Sequence, residues 1–440
     1  MLRVSLLTVS VVALVLSGCI ASEDGPNKDD VPDPVDPRLV PTFPNPQPPV
    51  VTALESVKQV AEGLEGRLGA AGIWAQGDYV YGSALGGGFY IADISDPTAP
   101  VVIFDGNESF GTAFARDADV VNHPDARITL VLATQSYGLS LVDVTDPAMP
   151  ELLVTLEEIV RNHNIAVVPG TTLVFNSPSG GEGQGNELLD LTDPAEPIIL
   201  GTYGTHGCHD ITFLGSLGDD RFRAYCAGIQ RTEIWDLTGL DTNATDFGIK
   251  LLGTVAVTEG NSPVVGSPVF AAHPVRTLHH LAMPNADGSI LIVGDEHNGG
   301  GTPGACIYND GTYSTPFGAL WFYDVSDEMN PELLSWISPP TVSPRAPSVP
   351  SDPTNAGPGM IWGTEPNCTA HFGTLIPGEE KLTMGWYSAG VLLIDFSDPE
   401  APRILDQFQP QGVNTWDARV HNGYVFTGDM GRGLDVLQLV

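Results

Sequence analysis

The stretch "VLLIDFSDPEAP", residues 391–402, is an apolar run that stops at an acid, a hydroxyl, an Asp-Pro pair and a second proline. Close copies stand at "YIADISDPTAP" (90–100), "LSLVDVTDPAMP" (139–150) and "NELLDLTDPAEP" (186–197), and a looser one at "LWFYDVSDEMNP" (320–331). The apolar run lacks polar alternation, as suits a strand packed on both faces. Proline presets φ at the second position of a turn, and the Asp or Ser before it can accept from amides that the turn frees. The second proline forbids helix and opens an edge strand, where a missing N–H is tolerated. Each phrase therefore reads as the end of a third strand, a corner and the start of a fourth.

Working outward, an aspartate follows the apolar run at seven places: Asp93, Asp143, Asp190, Asp236, Asp324, Asp395 and Asp435. Four of the six gaps between them run from 40 to 50 residues, the period of a four-stranded propeller blade, and the two longer ones hold loop-like insertions. The copy "EIWDLTGL" (233–240) lacks Asp-Pro, and in "GLDVLQLV" (433–440) the chain stops after a third strand. The expected fold is all-β, a seven-bladed β-propeller over residues 54–440. Its last blade would be closed by the N-terminal segment "ESVKQVAEGLEG" (55–66), which removes an exposed edge. A short helix beneath the ring is the alternative for that segment. The phrases "YIADISDP", "LSLVDVTDP", "ELLDLTDP" and "LLIDFSDP" resemble the LVIVD repeat, whose family members resemble extracytoplasmic β-propellers. The resemblance covers about residues 72–440; it implies an architecture and gives no reaction.

The beginning of the chain carries an address. Arg3 precedes a short apolar stretch that ends at "LSGC" (16–19), which is similar to the lipobox of bacterial and archaeal lipoproteins. Residues 1–18 are thus expected to be a signal peptide, with Cys19 as the site of lipid attachment; a plain signal peptide with a chance cysteine is the alternative. Residues 19–53 hold nine prolines and several acids without apolar periodicity, an extended acidic spacer of about 3 Å per residue. The expected location is outside the cytoplasm, anchored to the cell membrane. A formal net charge of −36 with four lysines argues against binding a phosphate backbone, so nucleic acid is not an expected partner.

Without Cys19, four cysteines remain, an even number for an oxidising compartment. Cys208 would begin the first strand of the fourth blade and Cys226 would end its second, so a hairpin brings them together. Cys306 and Cys368 fall in long loops. The expected disulfides are Cys208–Cys226 and Cys306–Cys368; metal ligation by the four is the alternative, although no Cys-x-x-Cys spacing is present.

By propeller convention, the link into each first strand and the link between second and third strands share one face, here called upper. Three long insertions belong to it, at about 258–276, 296–317 and 339–367. His163, His206, His209, His273, His279, His280, His297 and His371 also fall on upper-face segments, and His123 and His421 on the opposite turns. His163 and His209 each lie 27 residues before their blade's marker aspartate, and equivalent positions in a ring converge. "NHNIAV", "CHDITF", "LHHLAM", "TAHFGT" and "TWDARV" would open innermost strands, with "GDEH" (294–297) arriving from a second strand. The candidate metal ligands are His163, His209, His280, His371 and His297, with Glu296, Asp210 and Asp417 as candidate acid or base groups. Neutral imidazole suits Zn, Cu or Fe, so a transition metal is the expected cofactor if there is one. The pattern is loosely similar to the histidine-lined mouths of selenium-binding, methanethiol-oxidase-type propellers, without a continuous motif in common. The alternative is a ring of structural histidines that bond the backbone of neighbouring blades.

Two functions follow. One is a tethered binding or scaffolding module that engages a protein, glycan or small molecule through its upper face. The other is a metal-dependent extracytoplasmic enzyme, oxidase or hydrolase, at the channel mouth. "GGEGQG" (180–185) and "GGGF" (86–89) enter strands rather than helices and lack the features of a phosphate cradle.

Overall fold

The computed structural model describes residues 51–58, 70–85, 88–106, 115–134, 138–256, 278–296, 306–309, 314–316, 318–340 and 368–440. They belong to the compact unit Pro49–Val440. The expectations for the signal peptide, Cys19 and the spacer lie outside the described residues, as do His273, His297 and most of the three long insertions.

Among the described residues, seven sheets of antiparallel strands form blades that follow one another in chain order, each blade's own strands running from the innermost outward, and Ile307–Asn309 pairs with Ser314–Pro316 in a further two-stranded sheet. Five blades are built entirely from their own stretch of chain; the fourth also carries Gly181–Glu182, which leaves blade 3 to pair with His206 and Gly207, and the seventh is closed by a strand from the N-terminal side. The innermost strands are Ala70–Gln76, Asp117–Asn122, Asn164–Val167, His206–Leu214, His279–Pro284, Ala370–Leu375 and Thr415–His421. Each packs against the innermost strand of the next blade, and the seventh returns to the first, so the blades form a closed ring.

The repeated phrase forms the corner expected of it. Asp395 ends the third strand of blade 6, Gly390–Asp395, and accepts from the Ser397 amide at 2.9 Å; Asp398 then accepts from Glu400 N at 3.2 Å. The same tandem recurs as Asp93 and Asp96, Asp143 and Asp146, Asp190 and Asp193, and Asp324 and Asp327. The fourth strand starts directly after the second proline, as at Val101, Glu151, Ile198, Glu332 and Arg403. In all six complete blades a register shift sits between third and fourth strands, for example at Leu393/Ile394 and Leu141/Val142. Such bulges increase twist, and here they fall at the same step of the repeat.

The last blade lacks a fourth strand of its own, and Leu54–Lys58 supplies it by pairing antiparallel with Val436–Leu439. The segment is tied down further by Leu54 N donating to Asp406 Oδ2 at 2.9 Å, and Leu54 packs with Val391, Val425 and Leu437. It is a strand, as expected, over Leu54–Lys58; residues 59–69 lie outside the described residues.

The core lies between blades. Leu281, Ile292 and Phe322 of blade 5 pack on Leu382, Leu392 and Ile394 of blade 6, all nearly or fully buried. Each such side chain is worth about 1.5–3 kcal/mol in water-excluded area, so apolar side chains of the first, second and third strands hold neighbouring blades together. Both expected disulfides are present. Cys208–Cys226 links the first two strands of blade 4, with Cα atoms 5.2 Å apart. Cys306–Cys368 joins residues 62 apart in sequence, with Cα atoms 4.9 Å apart.

Candidate metal centre

The strand order decides which side chains meet. Every innermost strand starts on the upper face and every second strand ends there, so the first residues of the one and the last of the other surround the mouth of the central channel. His209, His280 and His371 sit near the starts of the innermost strands of blades 4, 5 and 6, and His163 directly precedes that of blade 3. Their rings form a row: centroids are 4.3 Å apart for His163–His209, 4.0 Å for His209–His280 and 3.7 Å for His280–His371. Trp416 of blade 7 stands 4.1 Å from His371 and continues it.

Glu296 follows the second strand of blade 5, Ile290–Asp295, and points into this row. Its Oε2 lies 3.9 Å from His209 Nε2 and 4.0 Å from His280 Nε2, and its Oε1 lies 3.7 Å from His371 Nε2. These are too long for hydrogen bonds. They suit ligands of a shared ion, since two donors each about 2.0–2.1 Å from one metal stand roughly 3–4 Å apart. One donor atom each from His209, His280 and Glu296 lie within 4.8 Å of one another.

The nitrogens are unsatisfied by the protein. Both ring nitrogens of His280, Nδ1 of His209 and Nε2 of His371 are buried without a hydrogen-bond partner. His280 is 0%, His371 1% and His209 2% exposed. An orphaned buried polar atom is costly, and although His206 and His279 outside the row also carry such nitrogens, among the described residues only here do they gather around a carboxylate. His371 shows the preparation most clearly. Its Nδ1 stands 2.9 Å from the carbonyl of Trp416, which fixes the proton there and leaves the Nε2 lone pair facing Glu296.

Electrostatics keep the imidazoles neutral, the form that binds metal. Burial, and after it the neighbouring charges, hold His163, His280 and His371 well below their ordinary range and bring His209 down to about 3. Burial pushes Glu296 up to about 7, opposed by the hydroxyl of Tyr387, which donates to Oε1 at 2.5 Å, and by Arg116. Arg116, itself lowered by burial, is the cation of this mouth.

Sequence reasoning singled out His163, His209, His280, His371 and, as an acid or base, Glu296, and the structure brings these five side chains together. Sequence reasoning placed Asp210 and Asp417 at the mouth as well, but each lies one residue further into the channel. Asp417 Oδ2 accepts from Ile73 N at 3.2 Å and so ties blade 7 to blade 1. His206 and His279 are buried away from the row; His279 Nδ1 meets Thr232 Oγ1 at 2.9 Å. Arg116 and Tyr387 were missed. Arg116 carried a signal, because it too precedes its marker, Asp143, by 27 residues. Tyr387 carried none: it sits in a one-turn 3₁₀ segment, Tyr387–Ala389, between the second and third strands of blade 6.

No curated protein matches this sequence. Among solved structures, the β-propeller domain of Cps50 (Swd1) from Myceliophteria thermophila superposes with a TM-score of 0.51 at 10% identity, over 85% of this chain and 98% of that one. Sqt1 from Saccharomyces cerevisiae gives a TM-score of 0.49 at 9% identity, over 85% of this chain and 83% of that one. At such identity the first likeness speaks to fold alone. The LVIVD repeat matches residues 69–107, which include the whole of blade 1. In fold the chain is a seven-bladed β-propeller, and in its first blade it is similar to the LVIVD repeat family.

Proposed function

We propose that the channel mouth is a transition-metal centre held by His209, His280, His371 and Glu296, with His163 beside it, and that the chain acts as a metal-dependent enzyme outside the cytoplasm. The carrying observation is the set of buried imidazole nitrogens without protein partners, gathered around one carboxylate. Imidazole with one carboxylate suits Zn, Cu or Fe. Such an ion polarises a bound oxygen or activates water, chemistry shared by hydrolases and oxidases. Arg116 stands where it favours an anionic ligand of that ion.

The test is metal content. Wild-type protein should carry about one ion per chain and His280→Ala should lose it, and chelation of the wild type should lower its melting temperature while that of His280→Ala no longer responds to metal or chelator. A merely structural histidine would instead cost about 1–3 kcal/mol of stability on removal, with no metal to lose. Wild-type protein that holds no Zn, Cu, Fe or Mn after reconstitution sinks the proposal.

A propeller fold also suits a binding or scaffolding module, and the upper face is where a protein, glycan or small molecule would be engaged. The proposed location is the cell surface or periplasm, with a lipid anchor at Cys19. Two disulfides in the body support an oxidising compartment, and "LSGC" with its apolar run supports the anchor. Cys19→Ala should release the protein from the membrane fraction; unchanged, detergent-dependent fractionation would place the anchor elsewhere.

A further inference from the structure

His371 stands where the first strand of blade 6 leaves its regular ladder. Ala370 pairs with Trp386 and the register slips before Gly373, so His371 lies in a bulge. A bulge re-aims a side chain, and where this one points depends on what holds the residues just before it. Ala370 N donates to the carbonyl of Gly318 at 2.8 Å, Tyr387 N donates to that of Thr369 at 3.2 Å, and Cys368 is bonded to Cys306.

The surroundings of Glu296 are built from the same pieces. The link between Asp295 and Leu320 begins at Glu296, carries Cys306 and returns through Gly318 and Ala319, whose carbonyl accepts from Asp295 N at 3.0 Å. The link between Ile337 and Ala370 carries Cys368 and delivers His371. Tyr387, held by Thr369 next to Cys368, donates its hydroxyl to Glu296. Cys306 and Cys368 are 8% and 0% exposed and share one buried cluster with Trp386, Tyr387 and Trp416. The bond thus ties the link that leaves one candidate ligand to the link that brings in another, across two blades. Both links are long, and a cross-link between long links removes much of the freedom they would otherwise keep. Cys208–Cys226 differs, because it lies within one hairpin whose ladder already pairs Ile211 with Cys226 and brings no second blade to the centre.

We propose that Cys306 and Cys368 are positioning residues of the metal centre, so that capture of the ion follows oxidation. With the thiols apart, Glu296 and His371 are set loosely and hold an ion weakly; closing the bond sets both. In closing, each thiol gives up a proton and the pair gives two electrons to an exchanging disulfide, which leaves as a dithiol. The consequence is an order of events: a chain still reduced does not compete for metal, and an oxidised one does. This inference rests on the metal-centre reading above.

The experiment compares the Zn(II) affinity of wild type and of Cys306→Ala/Cys368→Ala by competition against a chelator, at a temperature where circular dichroism shows both folded. The variant keeps no thiolate at these positions that could bind the ion itself. A loss of about 10–100-fold is expected, the range for partners that orient metal ligands. A bond that serves only the fold would lower the melting temperature and leave the affinity unchanged, and that result overturns the inference while the metal centre stands. If the alanine pair does not fold, Cys306→Ser/Cys368→Ser takes its place. Failure of both pairs to fold also overturns the inference, which requires a body that stands with the bond open. Wild-type protein that holds no Zn, Cu, Fe or Mn overturns the metal centre and this inference with it.

Discussion

Tyr387 governs the orientation of the one carboxylate in the imidazole row. Its hydroxyl takes Oε1 of Glu296 and so turns Oε2 toward His209 and His280. Partners that orient a ligand are worth about 10–100-fold in metal affinity, so Tyr387→Phe should weaken metal binding by that amount without abolishing it. Competition against a chelator of known affinity measures this, and an unchanged affinity would remove Tyr387 from the site. The row itself was legible in part, because His163, His209 and Arg116 share one distance to a marker aspartate. Tyr387 was not, because a residue in an irregular link between strands has no periodic neighbour to compare with.

At the scale of the element, the corner explains why the repeat conserves its wording within this one chain. Asp395 accepts from both the amide and the hydroxyl of Ser397, at 2.9 and 2.7 Å, and also binds Arg403. Asp398 accepts only from the Glu400 amide. Replacing Asp395 with alanine should therefore cost about 1–2 kcal/mol, and Asp398→Ala about 0.5–1 kcal/mol, read from denaturant midpoints. The reverse order would refute the corner as drawn. These contacts were legible because donor and acceptor lie two residues apart, so the sequence alone brings them together. The bulge after the third strand was not, since no residue type marks it; it is a fit between neighbouring strands.

For the whole molecule, buried carboxylates set the response to pH. Burial pushes Asp117 up to about 7, and Asp119 and Asp429 up to about 6, from the ordinary 3.8. A raised acid binds its proton more tightly when folded, so its contribution to stability is complete below pH ~4 and is lost as pH rises through 6 to 7. Asp236 and Asp395, held below their ordinary value despite partial burial by bonds to Thr238 and Ser397, act oppositely: their contribution is lost as pH falls below ~4. The net charge of −36 adds self-repulsion at high pH. Melting temperature should therefore peak near pH ~5 and fall toward pH ~8. A protein more stable at pH ~8 would show that these carboxylates are ionised when folded.

The number of blades, their corners, the donated closing strand and both disulfides were determined by the sequence, because each rests on a repeat period or on partners brought close by a hairpin. His279 and His280 mark where that stops. They are adjacent in sequence, and a strand sends adjacent side chains to opposite sides, so one reaches Thr232 in the preceding blade and the other the channel. Which faces the channel depends on how the strand is set in the closed ring. That Arg116 and Tyr387 join the imidazoles and Glu296 was decided only by ring closure, which brings together residues up to 271 positions apart, from Arg116 to Tyr387.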